Sequence, residues 1–329
     1  DRAQWDACIG NSCFETIYPY SWYLDLVSPG WEGLVLRDYE AVFPLTWKKK
    51  YGILYIVQPL LSQQLGVFSP VRPSGIEVGF FLQRIPEKFK HVDICLNSSN
   101  EVRTNEFKIL KRVNYELKTD REMGEMASHY STNTKRNIKK ALQEKLSVQN
   151  IDVGSYIKLR LGSDKSGFKK GHYDRLNALF SGIMKTGKGE ITGAFCDGQL
   201  CAAVIWAFAK TRHIYLNAVS NETGKEKRAM FLLVDHHIQK NAGKKIVLEE
   251  KTWNMIPGKD AGGVVSLSFS IGSGKPVNLG PGQSLTLTLE NVMASASGGA
   301  RGTRVELHYR HLTLGSSKLE GVRGQHMGI

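Results

Sequence analysis

The chain has 329 residues, 41% hydrophobic and 23% charged, a globular composition that excludes disorder as its main state and suffices for two or three compact domains. Lysine and arginine outnumber aspartate and glutamate by 44 to 31, a net charge of +13, which biases the surface toward polyanions such as nucleic acid, phosphates or nucleotide cofactors. The longest uninterrupted apolar run, Cys201 to Ala209, is about half of the roughly 20 residues a membrane-spanning helix needs, which excludes such a span.

The five cysteines, Cys8, Cys13, Cys95, Cys196 and Cys201, are odd in number and scattered. They lack the spacing of a zinc knuckle, so buried free thiols are expected, with no metal site and no disulfide framework. No basic, apolar, small-residue secretion signal opens the chain. Together with reduced thiols, this makes the cytoplasm the expected location.

In chain order, an aromatic cluster comes first: Tyr18, Tyr20, Trp22 and Tyr23, then Trp31, and Trp47 just before Lys48, Lys49 and Lys50. Packing in a core or groove is its expected role, with nucleobase stacking as the alternative. The strings GLVLRDYEAVFPLTW and ILYIVQPLL are β-branched and aromatic and read as strands, whereas EMGEMASHYSTNTKRNIKKALQEK has helical spacing. GEITGAFCDGQLCAAVIWAFA reads as a hairpin turning at Asp197-Gly198, RHIYLNAV as a further strand, and KEKRAMFLLVDHHIQKN as a helix with Met230, Leu233 and Val234 in its core. Strands and helices alternate, predicting an α/β (α+β) fold in two lobes, residues 1–115 and 116–258. From 259 onward the composition changes to 13 of the 33 glycines and a local net charge of +3. Three runs there alternate with period two between glycine-rich turns, which predicts a small antiparallel β-sandwich-like module over 259–314. The polar tail 315–329 is expected to be mobile.

Two basic stretches carry the functional signal. In the first, Ser131, Thr132 or Asn133 caps a helix carrying Lys135, Arg136, Lys139 and Lys140, of which Arg136, Lys139 and Lys140 gather on one face, a cationic surface suited to a phosphate-bearing substrate or, more plainly, a solvated helix face. In the second, a polar turn holding Gly224 feeds a helix beside Lys225, Lys227, Arg228 and Ala229. Free N–H groups at a helix start suit a pyrophosphate, and clustered cations there oppose the helix dipole unless an anion sits among them. The pair His236-His237 reads as exposed or internally satisfied. GSGKP at 272–276 lacks the flanking residues of a phosphate-binding loop, and no nucleophile elbow or zinc helix is present.

The strings YPYSWYLDLVSPGWEGLVLRDYEAVFPLTWKKKYGILYIVQPLLSQQLGVFS, YSTNTKRNIKKA and GKEKRAMFLLVDHHIQ, running on to MIPG at 255–258, resemble the GNAT acyltransferase superfamily, in particular its Fem-like, tandem-GNAT branch of Bacteroidetes type. The resemblance covers about residues 1–258. It implies two GNAT-like lobes and acyl or aminoacyl transfer to an amine on a small molecule or peptidoglycan precursor, from acyl-CoA (acetyl-CoA) or aminoacyl-tRNA. Carried over by motif, Gly224 to Ala229 matches the donor-phosphate turn and Asn133 to Lys140 the basic stretch between lobes. Gly224 lacks the partner glycine of the usual phosphate signature. Tyr215 and Asn217, on the strand before Gly224, are the candidate polar catalytic contacts for an attacking amine and a developing oxyanion. The contrasting expectation is a non-catalytic binding protein, holding RNA on its basic surface or glycan or protein on the C-terminal β module.

Overall fold

A computed structural model describes residues 1–102, 107–110, 114–163, 170–250, 313–314 and 317–318. The chain divides into two units, Asp1–Asn254 and Met255–Ile329.

The first unit opens with α1 (Arg2–Gly10), capped by the Asp1 carboxylate, which accepts from the N–H groups of Ala3 and Gln4. Helix α2 (Ser21–Val27) follows, then the hairpin β1 (Glu32–Leu36) and β2 (Ala41–Leu45). A three-stranded sheet comes next, with β3 (Trp47–Lys50) antiparallel to β4 (Ile53–Val57) and β4 parallel to β5 (Phe89–Asp93). A parallel pair needs a crossover, supplied here by α3 (Gly75–Gln83). That helix starts at a reciprocal Ser74–Glu77 capping box and buries Val78, Phe81 and Leu82 against Phe43, Ile56 and Phe89.

The remainder builds one six-stranded sheet. Its elements are β6 (Glu116–Lys118), α4 (Met123–Ser128), α5 (Thr132–Gln143), β7 (Ser147–Asn150), α6 (Val153–Ser163), α7 (Lys170–Lys185), β8 (Gly189–Cys196), β9 (Gln199–Phe208), β10 (Arg212–Ser220), α8 (Glu222–Glu226), α9 (Ala229–Asn241) and β11 (Val247–Glu250). The strand order is β6-β11-β10-β9-β8-β7, and among its pairings only β10–β11 is parallel. The β8–β9 turn is the expected Asp197-Gly198, both at positive φ (49° and 75°), a conformation that glycine adopts without strain.

Strand β9 explains the longest apolar run of the sequence. Ala202, Val204 and Trp206 face α9, while Ala203, Ile205 and Ala207 face the opposite core. A central strand covered on both faces needs no polar alternation. The opposite core joins both halves of the unit, since Trp5, Ile9, Tyr18, Tyr23 and Leu24 pack with Tyr156, Phe180, Ile205 and Leu216. The N-terminal aromatic cluster is therefore core: Tyr18 and Tyr23 are fully buried and Tyr20 nearly so, each such side chain contributing about 1.5–3 kcal/mol by burial.

The structure corrects several expectations. The thiols are free, but Cys13 is exposed and Cys95 only half-buried, with Cys8, Cys196 and Cys201 inside. The helix read from KEKR starts later, at Ala229, because Arg228 takes the left-handed conformation (φ 61°) and separates α8 from α9. The helical stretch before residue 145 is two helices, with α5 capped by Ser131, whose hydroxyl accepts from the Thr134 N–H. No helix among the described residues is long and apolar enough to cross a membrane.

In the second unit the described backbone is an antiparallel pair, β12 (Thr313–Leu314) and β13 (Ser317–Lys318). Apart from Thr313–Leu314, the three alternating runs expected over 259–314 lie outside the described residues, as do the GSGKP stretch and the tail other than 317–318.

Candidate functional site

The parallel pairing of β10 with β11 runs only from Arg212 to Tyr215, whereas β10 continues to Ser220 with no neighbour on that side among the described residues. A cleft of about 470 Å³ lies between α5, α9 and the β10–β11–β6 edge, reaching β10 at Tyr215, the last residue paired with β11. Its wall is largely apolar, with the aromatic side chains Tyr115, Tyr130, Trp206, Tyr215 and Phe231, and its polar groups include Thr134, Glu116, Asp235 and Glu249. The Trp206 Nε1 donor is buried there with no hydrogen-bond partner among the described residues. Helix α5 supplies Thr134 and Ile138 at i, i+4 spacing, and α9 supplies Val234 and Ile238 at the same spacing. Tyr130 donates to Asp235 Oδ1 at 3.0 Å, fixing the start of α5 against the middle of α9.

The two candidate catalytic residues part company. Tyr215 lines the cleft, its ring edge-on to Trp206 at 5.4 Å. A bulge between Tyr215 and Asn217 breaks the alternation of β10, so Asn217 turns to the face covered by α6. There its side-chain carbonyl accepts from the Tyr156 hydroxyl at 2.6 Å and from Arg160 Nη1 at 2.9 Å. Asn217 thus anchors α6 and is not brought together with Tyr215.

Next to the cleft, Arg212 bridges two carboxylates, Glu116 at 2.7 Å and Glu249 at 3.0 Å. Glu249 also accepts from Gln64 and from Asn114. Its side chain is 0% exposed, and burial pushes its carboxyl above the usual range while Arg212 works in the opposite direction. This network pins residues 63–64 of the first half to β10 and β11.

Behind Trp206 runs a second polar chain. His237 stacks flat on the Trp206 indole at 3.7 Å, with its Nδ1 3.0 Å from Glu190 and its Nε2 3.1 Å from His213 Nδ1. Burial lowers both histidines, His213 to about 4. Burial alone would raise Glu190, but hydrogen bonds from His237 and Lys240 win and bring it to about 2. His237 is thus internally satisfied, while His236 is exposed.

The basic residues form a ridge on the outer side of these helices. Lys135, Arg136, Lys139 and Lys140 are all exposed on α5. Lys135 donates to the Ser128 carbonyl and Arg136 to Asn133 Oδ1. The ridge meets the second basic stretch at α5's other end, where Lys227 pairs with Glu144 at 2.6 Å, lowering the carboxylate and raising the ammonium. Lys225 pairs with Glu222, and Arg228 donates to the Lys225 carbonyl.

Gly224 sits inside α8, with its N–H donating to Asn221 Oδ1 at 2.9 Å. A Cβ at this position would lie 2.2 Å from the Cys201 carbonyl oxygen, so the glycine is there to let α8 touch β9. Ala229 opens α9 and is fully buried. Arg228, at the N-cap of α9, makes no side-chain cap.

Among the described residues no three His, Cys, Asp or Glu side chains converge on a possible metal position. Of the cleft residues of α5 and α9, Met230 and Val234 were read from the sequence as core and are only half-buried; Thr134, Ile138, Phe231, Asp235 and Ile238 were not singled out, although the i, i+4 spacing of Thr134 with Ile138 and of Val234 with Ile238 marks the faces concerned.

No family model and no curated protein matches the sequence. Among solved structures, the crystal structure of FemX aligns with a TM-score of 0.56 at 12% identity, covering 79% of this chain and 89% of that one. The chain has the fold of FemX. Looser likenesses are the C-terminal domain (DUF2156) of a putative lysylphosphatidylglycerol synthetase from Agrobacterium fabrum (TM-score 0.39, 7% identity, 69% of this chain and 72% of that one) and a conserved protein of unknown function from Bacteroides thetaiotaomicron VPI-5482 (0.41, 11%, 76% and 82%). Neither of these bears on function.

Proposed function

We propose that this chain is an N-acyltransferase of Fem-like type that moves an aminoacyl group from aminoacyl-tRNA to an amine on a small molecule or peptidoglycan precursor. The observation that carries this reading is the placement, on the FemX fold, of an aromatic, acid-bordered cleft beside an exposed cationic ridge. The ridge on α5 and the α8–α9 junction suits the phosphates of a tRNA, and the cleft suits the reacting ester and amine. Two features favour tRNA over acyl-CoA as donor: the Gly224 N–H is already spent on Asn221, and the cations of α5 spread from Lys135 to Lys140.

In the reaction, the amine attacks the ester carbonyl, a C–N bond forms, the C–O bond to the tRNA ribose breaks, and the proton shed by the attacking nitrogen ends on the ribose oxygen, which leaves as a hydroxyl. The ammonium proton must leave before attack, and in this reading Glu116, at the cleft border, receives it. Tyr215 contributes cleft wall and polar contact, and Asn217 acts at a distance by holding α6.

The test is transfer of a labelled aminoacyl group from mixed aminoacyl-tRNA to an amine acceptor, alongside thermal melting with aminoacyl-tRNA, coenzyme A or acetyl-coenzyme A. A ligand at about 100 times its Kd adds roughly 2.7 kcal/mol. A shift with tRNA, lost in Lys139→Gln with Lys140→Gln, together with transfer, supports the reading. A shift with tRNA but no transfer turns it into an RNA-binding protein, and a shift with the thioesters alone moves the donor to coenzyme A.

A further inference from the structure

The β3–β4 hairpin shares no residue with the cleft or with the ridge. Its register pairs Trp47 with Ile56, Lys48 with Tyr55, Lys49 with Leu54 and Lys50 with Ile53. Side chains alternate across a strand, so Trp47, Lys49, Leu54 and Ile56 share one face and Lys48, Lys50, Ile53 and Tyr55 the other. On the first face Trp47, Leu54 and Ile56 join the core under α3.

The second face looks outward with a composition unlike that of an ordinary solvated strand. Lys48 and Lys50 on it are exposed, Ile53 is 52% exposed, and Tyr51 at the tip is 91% exposed; Lys49, on the first face, is exposed as well. Tyr51 and Gly52 both have positive φ (51° and 80°), a two-residue turn that presents the tip in a defined shape. Lys50 Nζ lies 5.2 Å from the Tyr51 ring. From Ala41 to Ile76 the sequence has no aspartate or glutamate, and no ion pair involves the three lysines among the described residues.

A partner for this tip must bring negative charge to the lysines and an apolar or interfacial environment to Tyr51 and Ile53. RNA meets the first demand but leaves the isoleucine in water. A bilayer surface meets both: lysine reaches lipid phosphate, tyrosine sits at headgroup depth, and isoleucine enters the acyl boundary. We propose that the hairpin 47–57 docks the protein on an anionic phospholipid surface. The proposal stands independently of the acyltransferase reading.

Its test is co-sedimentation of the full chain with vesicles of phosphatidylcholine alone and of phosphatidylcholine carrying roughly a quarter phosphatidylglycerol, at physiological salt. The expected result is binding to the anionic vesicles only. Lys48→Gln with Lys50→Gln weakens it about 25-fold, at ~5-fold per lysine, and Tyr51→Ser with Ile53→Ser weakens it on the order of 10-fold with no change of charge. Lys139→Gln with Lys140→Gln, equal in charge but on α5, leaves it within about two-fold, since the attraction falls off within a Debye length. Equal binding by wild type and the Lys48/Lys50 variant, or no binding to either vesicle, overturns the proposal. Insensitivity to the Tyr51/Ile53 change also overturns it, because the attraction would then be charge alone. If the hairpin lysines are needed to retain RNA but not vesicles, RNA is the occupant and the bilayer is wrong.

Discussion

The chain of hydrogen bonds behind Trp206 fixes its own tautomers and makes stability depend on pH. Glu190 accepts from His237 Nδ1, which leaves His237 Nε2 as acceptor and requires His213 Nδ1 to be the donor. His213 is held neutral, its pKa lowered from the ordinary 6.5 to about 4 by burial, then by His237, with Lys244 and Lys240 adding to the effect and Glu190 opposing it. Between pH 6.5 and 4 the unfolded chain therefore binds a proton that the folded chain does not, and stability falls as pH falls, by up to about 1.4 kcal/mol per pH unit. Over this window the full integral is about 3 kcal/mol, which screening at a half-buried ring reduces to about 2 kcal/mol. His237 has the same sign but remains in both proteins compared here. Glu190, lowered to about 2, gives stability that is present above pH 4.5 and lost only as pH falls from there toward 2. The perturbation is His213→Gln, which keeps a donor toward His237 and removes the titration. Urea unfolding followed by circular dichroism from pH 7 to 4.5 should show wild type losing about 2 kcal/mol more than the variant over that range. The absolute stability of the variant at pH 7 is lower, because the packing of His213 on Phe208 is lost, so the decisive quantity is the change with pH. Parallel losses in the two proteins would refute the assignment of a neutral, buried-site His213.

Three further outcomes are expected. Gly224→Ala places a methyl group against the Cys201 carbonyl and should destabilise the protein by about 1–3 kcal/mol in urea unfolding; an unchanged midpoint would mean that α8 does not press on β9. Asn217→Ala leaves the Arg160 guanidinium and the Tyr156 hydroxyl short of an acceptor and should cost about 1–3 kcal/mol, whereas Tyr215→Phe should act on transfer. In filter binding of tRNA, Lys139→Gln with Lys140→Gln should reduce the slope of log affinity against log salt by about 1.4 to 1.8; an unchanged slope would remove these lysines from the contact.

What the sequence made legible was local. A cap among Ser131, Thr132 and Asn133, Asp197-Gly198 as a turn and the two basic stretches all follow from neighbours within a few positions; the structure shows each and selects Ser131 as the cap. The parting of Tyr215 and Asn217 was not legible, because a single-residue bulge reverses the parity of a strand without leaving a mark in its composition. Gly224 read as a phosphate turn because glycine before a helix is common to both uses; only the nearby Cys201 carbonyl, 23 residues earlier in sequence, reveals the packing use. The Glu190–His237–His213 chain was equally hidden. Its members are separated by 47 and 24 positions, and histidine itself does not announce whether its partners lie in the protein or in solvent.

Helix α9 shows how one short segment meets three demands. Its buried side, with Leu233 and His237, closes over β9; its flank, with Val234 and Ile238, lines the cleft; and the residues just before it carry the cations of the ridge. The left-handed Arg228 is what makes these demands compatible, because an unbroken helix from Glu222 onward would not let α8 lie on Cys201 and α9 on Trp206 along one straight axis. The ridge and the cleft are therefore coupled through a backbone break, and α5 is tied to that break at one end by Lys227–Glu144 and to the middle of α9 by Tyr130–Asp235. Those two ties differ in kind. The first joins partly exposed ions and weakens with salt, whereas the second joins a part-buried hydroxyl to a buried carboxylate and does not depend on a second charge. An anion on the ridge would compete for Lys227 at the first tie while leaving the second intact, so charge recognition on the outer side and the shape of the cleft on the inner side meet at the Lys227–Arg228 junction.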